Sequence, residues 1–142
     1  MIMAITVFFM QCKYFNSLKL IKVLKKHNVT INMKDNQGRT ALMHEIYNAN
    51  IDVVKFLITQ KAQIHEIDLK GNSILMYCVI KIIDYKKTMD IFSKGQVRDV
   101  MGKKFKKLKV QQVAIAAYLL KHGADLTKKN NAGNTFLSLS KK

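Results

Sequence analysis

"DNQGRTALM" (35–43) and "DLKGNSILM" (68–76) are two versions of one pattern. Each opens on an aspartate (Asp35, Asp68), reaches a glycine (Gly38, Gly71), places a hydroxyl two residues later (Thr40, Ser73) and then runs into apolar residues. A glycine enters a backbone conformation that a β-carbon resists, and a Thr or Ser just behind it can accept a backbone N–H at a helix start. The pattern therefore spells a tight turn that opens a helix, and the step from Asp35 to Asp68 gives it a period of 33 residues.

The flanking sequence keeps the same period. "LIKVLKKHNVTI" (20–31) falls on "VVKFLITQKAQI" (53–64) at the same shift. A later copy, "AAYLLKHGADL" (116–126) followed by "NNAGNTFL" (130–137), matches the second with 62 residues between Gly71 and Gly133, so about one period of extra chain is inserted in the third copy. In the second helices Val53, Val54, Phe56 and Leu57 stand at i, i+1, i+3 and i+4, a broad face to be buried, while Leu42, Leu75 and Leu137 of the first helices are expected to point inward. A two-helix unit of this size buries little alone and needs its neighbour.

A 33-residue period with a D-x-x-G-x-T/S turn, two helices and a closing G-A-D-like loop resembles the ankyrin repeat, over nearly all of the chain outside the insertion. The resemblance implies an all-α solenoid of stacked helix-turn-helix units in one domain: a partial repeat at 1–34, a second repeat at 35–67, a third at 68–129 and a half-repeat cap at 130–142. The lysine-heavy, proline-free composition suits a short bacterial or viral member.

The departures are informative too. The family's T-P-L-H reads Thr40-Ala41-Leu42-Met43 here and Ser73-Ile74-Leu75-Met76 in the next copy, so the histidine's hydrogen bonds should give way to methionine packing. Glu45 shares a column with Cys12 and Cys78 where a small residue is usual; it should lean to the groove or pair with a cation. The first copy lacks its turn, and its helices are expected near Met3–Lys13 and Ser17–Lys26.

Between the helices of the third copy lies "DYKKTMDIFSKGQVRDVMGKKFKKLK" (84–109), nine basic residues against three aspartates. Ile74, Cys78, Ile82, Met89 and Phe92, then Phe105, Leu108, Gln112, Ile115 and Leu119, keep helical spacing across it. Both helices should therefore be lengthened into a protruding hairpin that turns within Ser93–Gly102, with Lys86, Lys87, Lys94, Arg98, Lys103, Lys104, Lys106 and Lys107 as a basic arm or as a solvated lysine face.

Composition narrows the partners. With 49% hydrophobic residues the 142-residue chain is too apolar for disorder, and 25 basic against nine acidic residues give a net charge of +16. Only Arg39 and Arg98 carry the planar fork that reads base edges, which disfavours sequence-specific DNA recognition. The apolar start "MIMAITVFFMQCK" is too short to span a bilayer, nothing basic precedes it and no cleavage site follows, so a buried helix in a cytoplasmic protein is expected; secretion into a host cell is compatible with this. The apolar first helix permits a dimer.

Chemistry finds no foothold in these residues. His27, His44, His65 and His122 form no zinc-like spacing; His27 and His122 share the slot after a second helix, where a cation is favoured. Cys12 and Cys78 lie two repeats apart, too far for a disulfide, and are expected as reduced core residues. Asp35 and Asp68 should bond their own turns, and no nucleophile, phosphate loop, metal or cofactor site is visible.

The resemblance implies binding through the turn tips and the exposed face of the first helices. The tips carry Asn36, Gln37 and Arg39, then Leu69, Lys70 and Asn72, then Asn131, Ala132 and Asn134; the helix face carries Gln11, Tyr14, Phe15, His44, Tyr47, Asn48, Tyr77, Ile80 and Lys81. The tyrosines and Phe15 are the expected anchors for an acidic protein partner of a non-enzymatic adaptor or inhibitor. Nonspecific nucleic-acid binding through lysine–phosphate contacts is the second reading.

Overall fold

A computed structural model of the chain describes residues 18–26, 30–91 and 96–141. Among them are six helices: α1 (Leu18–Lys26), α2 (Ala41–Tyr47), α3 (Ile51–Thr59), α4 (Ile74–Ile91), α5 (Gln96–Lys121) and α6 (Phe136–Ser140). The expected helix near Met3–Lys13 and the residues Cys12 and His27 lie outside the described residues. Helices α2, α4 and α6 follow the three glycine turns and pack in sequence, α4 against both α2 and α6; α3 packs against α2 and α5, and α5 against α4.

The turns repeat atom for atom. Asp35 N–H donates to Arg39 O (2.9 Å) and Gly38 N–H to Asp35 O (2.9 Å); Asp68, Asn72 and Gly71 repeat this at 3.2 and 2.9 Å, and Asn130, Asn134 and Gly133 at 2.9 and 2.9 Å. The side-chain oxygen of the first residue secures each turn from within. Asp35 Oδ1 accepts from the N–H groups of Gln37 and Arg39, Asp68 Oδ1 from Lys70 and Asn72, and Asn130 Oδ1 from Ala132 and Asn134. Neighbouring turns also dock on each other: Leu69 N–H donates to Gln37 O (3.0 Å) and Asn131 N–H to Lys70 O (2.9 Å).

Here glycine is needed twice over. Gly71 has φ +74, and a β-carbon there would meet Asn131 Oδ1 at 2.5 Å and Asn131 N at 3.0 Å. Gly38, at φ +73, faces Leu69 N at 3.0 Å. Gly133 keeps the conformation, φ +75, with nothing within 4 Å of that position.

Helix starts vary more than the turns. Thr40 Oγ1 accepts from Met43 N–H (3.4 Å), and the Met43 sulfur accepts in return from Thr40 N–H (3.4 Å). Methionine here does more than pack, closing a reciprocal cap with a soft acceptor. Ser138 does the same for Thr135 with a hydroxyl. Ser73 departs from the expected cap: Met76 N–H goes to the Ser73 carbonyl (3.1 Å), and Ser73 Oγ is buried with no hydrogen-bond partner among the described residues.

The core joins Leu42, Ile46, Val53, Val54, Leu57, Leu75, Cys78, Leu108, Ile115 and Leu119, with Phe56 partly buried against it. Gln112 is buried inside this cluster, its amide donating to Ile46 O (2.8 Å), so the one polar member of the α5 apolar stripe ties two repeats together. Cys78 is a buried free thiol, pushed up to about 12 by burial. Leu137 is a correction: it is 53% exposed, because no further hairpin covers α6 among the described residues. Glu45 does not lean to the groove, since its side chain is fully buried in α2.

The long helices form the expected hairpin. With about 1.5 Å per residue, α4 and α5 run roughly 27 and 39 Å against roughly 10 Å for α2. Tyr85 and Phe105 stack between them, ring centroids 5.8 Å apart. α4 ends at Ile91 and α5 begins at Gln96; the part of the expected turn window before Gln96 lies outside the described residues, and Gly102, at the window's far end, sits inside α5.

Candidate functional site: the concave groove

The glycine turns and the first-helix row enclose a groove of about 650 Å³. Its lining comes from the turns at 37–39 and 68–72 and from α2 and α4, and none of it from α1, α3 or α5. Of the expected contacts, Gln37, Arg39, His44, Tyr47, Lys70, Asn72, Tyr77 and Ile80 line it, joined by Leu69 and by Lys87 from the hairpin set. Asn36, Asn48 and Lys81 stand outside the lining, while Gln11, Tyr14, Phe15 and Lys94 lie outside the described residues.

Two networks fix the groove wall, and they occupy the same register one repeat apart. In the first, Asp35 Oδ2 accepts from Arg39 Nε (2.9 Å), pairs with Arg39 Nη2 (2.8 Å) and meets His44 Nε2 (3.0 Å). Burial would raise the Asp35 carboxyl, yet the Arg39, His44 and Gln37 hydrogen bonds outweigh it and hold it at about 2. In the second, Asp68 Oδ2 accepts from Asn72 Nδ2 (2.9 Å) and from the Tyr77 hydroxyl (2.7 Å), and Asn72 Oδ1 takes a further bond from Asn130 Nδ2 (2.8 Å). Burial, then the bond to Asp68, push the Tyr77 phenol far above its usual range.

These networks correct the expected anchors. Tyr77 is 6% exposed, its hydroxyl committed to Asp68, and Asn72 is 7% exposed with both ends of its amide engaged. Both are wall rather than grip. His44 is buried too and faces Asp35. Tyr47 stays half-buried: its hydroxyl donates to Asp84 Oδ2 (3.0 Å), Lys81 Nζ lies 4.3 Å from its ring centroid, and burial with the Asp84 bond pushes its phenol up to about 12. Burial lowers the Lys81 ammonium, with Asp84 partly offsetting it.

What remains open to a visitor is a smaller set. Leu69 is 70% exposed at the turn tip, Ile80 and Ile83 are partly buried on α4, and Lys70 and Lys87 are exposed and make no ion pair among the described residues. Asp68, Ile83 and Asp84 were not among the expected contacts. Asp84 and Ile83 follow Tyr77 and Ile80 on the same side of α4 at i+7 and i+3, a signal that was present but hidden by treating Asp84 as the start of the insertion. The hairpin lysines divide: Lys87 turns to the groove, whereas Lys103, Lys104, Lys106 and Lys107 lie exposed on α5, and Lys86 and Arg98 are exposed near the tip.

Residues 9–97 match the family model described as ankyrin repeats (3 copies). The chain belongs to the ankyrin repeat family. A fowlpox virus (strain NVSL) protein named for ankyrin repeats is 46% identical over 46 residues, 32% of this chain and 11% of that protein. An ankyrin repeat protein of Acanthamoeba polyphaga mimivirus is 36% identical over 64 residues, 42% of this chain and 15% of its own length. The chain thus spans well under a fifth of the curated relatives it matches. Ankyrin repeats are in general protein-binding modules and typically not enzymes. The carboxylates that line the described groove are held by scaffold donors, Asp68 by Asn72 and Tyr77 and Asp84 by Tyr47.

Proposed function

We propose that the chain is a cytoplasmic, non-enzymatic adaptor or inhibitor that grips an acidic segment of another protein in the concave groove. The observation that carries the reading is the imbalance of what the groove leaves unused. Asp68 and Asp84 are both engaged by tyrosine hydroxyls, whereas Lys70 and Lys87 make no ion pair among the described residues and line the same groove as Leu69, Ile80 and Ile83. A segment with carboxylates flanking one or two apolar side chains would meet both the cations and the apolar floor. The aliphatic contacts would supply most of the affinity and the two lysines its register and association rate.

Affinity capture with the tagged chain, quantified by mass spectrometry, tests this against a Leu69→Asp/Lys70→Glu/Lys87→Glu variant. All three sites are exposed, so an unchanged circular dichroism spectrum is expected. A specific partner should be recovered at least about tenfold less with the variant. Equal recovery of every captured protein would remove the groove as the binding site.

A further inference from the structure

We propose that the layer of second helices, on the side away from the groove, is a docking face for an anionic lipid membrane surface. The face is assembled from all three second helices. On α1, Lys19, Lys22, Val23 and Lys26 are exposed at i, i+3, i+4 and i+7, one continuous stripe. On α3, Lys55 is exposed, with Asp52 as its acidic neighbour. On α5, Lys103, Lys106, Lys107 and Lys109 are exposed and lead into Val110, Val113, Ala114 and Ala117.

The stripes are joined side by side. Lys22 Nζ lies 5.7 Å from the Phe56 ring centroid on α3, and Lys55 Nζ lies 5.7 Å from the Tyr118 ring centroid on α5. Each lysine thus spans the gap to the next helix, and the layer presents one basic sheet of side chains rather than three separate ridges.

Three occupants differ in what they require. A second copy would bring the same lysines against these, on a chain that already carries +16. Nucleic acid is best held where arginines fork onto phosphates and free aromatic rings stack on bases. Here Phe56, Tyr118 and Phe105 are half-buried beneath Lys22, Lys55 and Lys109, and the layer's one arginine is Arg98 near the hairpin tip. A lipid surface asks for lysines that can reach up to headgroup phosphates and, between them, small aliphatic side chains that can enter the headgroup–acyl boundary. Val23, Val110 and Val113 are 42%, 71% and 66% exposed among those lysines, which no aqueous polyanion would use. No helix among the described residues is long and apolar enough to cross a membrane, so the contact is peripheral.

Co-sedimentation of the full chain with phosphatidylcholine vesicles, with and without about 30% phosphatidylserine, tests the inference. Binding is expected only with phosphatidylserine, and should weaken more than about tenfold when salt is raised from about 0.05 to 0.5 M. Lys103→Glu/Lys106→Glu/Lys107→Glu should abolish it. Val110→Ser/Val113→Ser, which keeps every charge, should weaken it about tenfold. The groove variant Leu69→Asp should leave it unchanged, so this face and the groove stand or fall separately. All these positions are exposed, and thermal melts check that each variant is folded. No retention on phosphatidylserine vesicles at low salt would overturn the proposal. So would a 20-base-pair duplex that binds more tightly than the vesicles and is indifferent to the two valines.

Discussion

The Asp35 and Asp68 networks fill one template with opposite chemistry. Both put a carboxylate at the head of the turn, a donor four residues on and a second donor nine residues on. At the first site the donors are the cation Arg39 and His44; at the second they are the neutral Asn72 and Tyr77. Burial accounts for the choice. The contrast lies at the donor four residues on: the Asp35 and Arg39 side chains keep 19% and 24% of their surface in water, whereas Asp68 and Asn72 fall to 8% and 7%; the donors nine residues on are equally buried, His44 at 7% and Tyr77 at 6%. A charged donor is tolerable where water still reaches it and costly where it does not, while a neutral donor satisfies a buried carboxylate without a second desolvation. The backbone fixes where donors must stand, and the depth of the site fixes which kind.

Removing the buried member should hurt most. Tyr77→Ala deletes an inward-facing ring as well as the hydroxyl on Asp68, and should lower unfolding free energy by about 3–5 kcal/mol in urea titration. Tyr77→Phe isolates the hydrogen bond and should cost about 1.5–3 kcal/mol, since it strips a charged acceptor of its shortest bond. If Asn72→Ala costs no more than Arg39→Ala at the more open site, burial does not set the stakes and the contrast fails.

The turns offer a cleaner version of the same test, because their backbone is shared. Gly71→Ala meets both a positive φ and the docked turn at Asn131, so about 3 kcal/mol is expected. Gly133→Ala keeps the φ penalty alone and should cost about 1–2 kcal/mol. Equal losses would mean that the next turn gives way freely and that docking between turns contributes little.

Much of this was legible in the sequence, for a physical reason. The 33-residue period is written by local demands, a glycine that must reach positive φ and a residue that must bond its own turn, so Asp35, Gly38, Asp68 and Gly71 could be placed without coordinates. Depth could not be read this way. Tyr47 and Tyr77 lie near each other in adjacent repeats, but Tyr77 stands in the buried slot that His44 fills one repeat earlier, while Tyr47 shares the partly buried slot of Ile80. Gly102 looked like a turn because glycine punctuates helices, yet an extended helix tolerates it where nothing else demands the φ. Ser73 failed as a cap for a similar reason: its hydroxyl had the right position, but the backbone carbonyl took the donor first.

Acid should weaken the Asp35 network. Asp35 is held at about 2, below the ordinary carboxylate value near 3.9, so it binds fewer protons folded than unfolded and its stabilisation is present above about pH 4. That contribution drains away as pH falls from about 4 to 2. After allowance for residual solvent screening it is worth about 1–2 kcal/mol, measurable as a steeper loss of stability in the wild type than in Asp35→Asn across that window. Parallel curves would show that Arg39 and His44 hold the side chain in place without stabilising it.

The smallest effect expected comes from the closing loops, where one backbone geometry carries a lysine in one copy and a glycine in the other. Lys61 and Gly123 occupy the same slot after α3 and α5: Lys61 N–H donates to Ile58 O and Gly123 N–H to Leu120 O, and the next residue, Ala62 or Ala124, returns to Leu57 O or Leu119 O. Gly123 has φ +90 and Lys61 φ +65, so the lysine sits in a conformation its β-carbon opposes. Lys61 is exposed and makes no hydrogen bond from its side chain among the described residues, so little is lost by deleting it. Lys61→Gly should therefore stabilise the fold by about 0.5–1 kcal/mol, the relief of strain being partly offset by the greater freedom of glycine in the unfolded chain. A destabilised Lys61→Gly would mean that the unfolded-chain entropy outweighs the strain, and that the glycine of the last copy reflects something other than the backbone geometry both loops share.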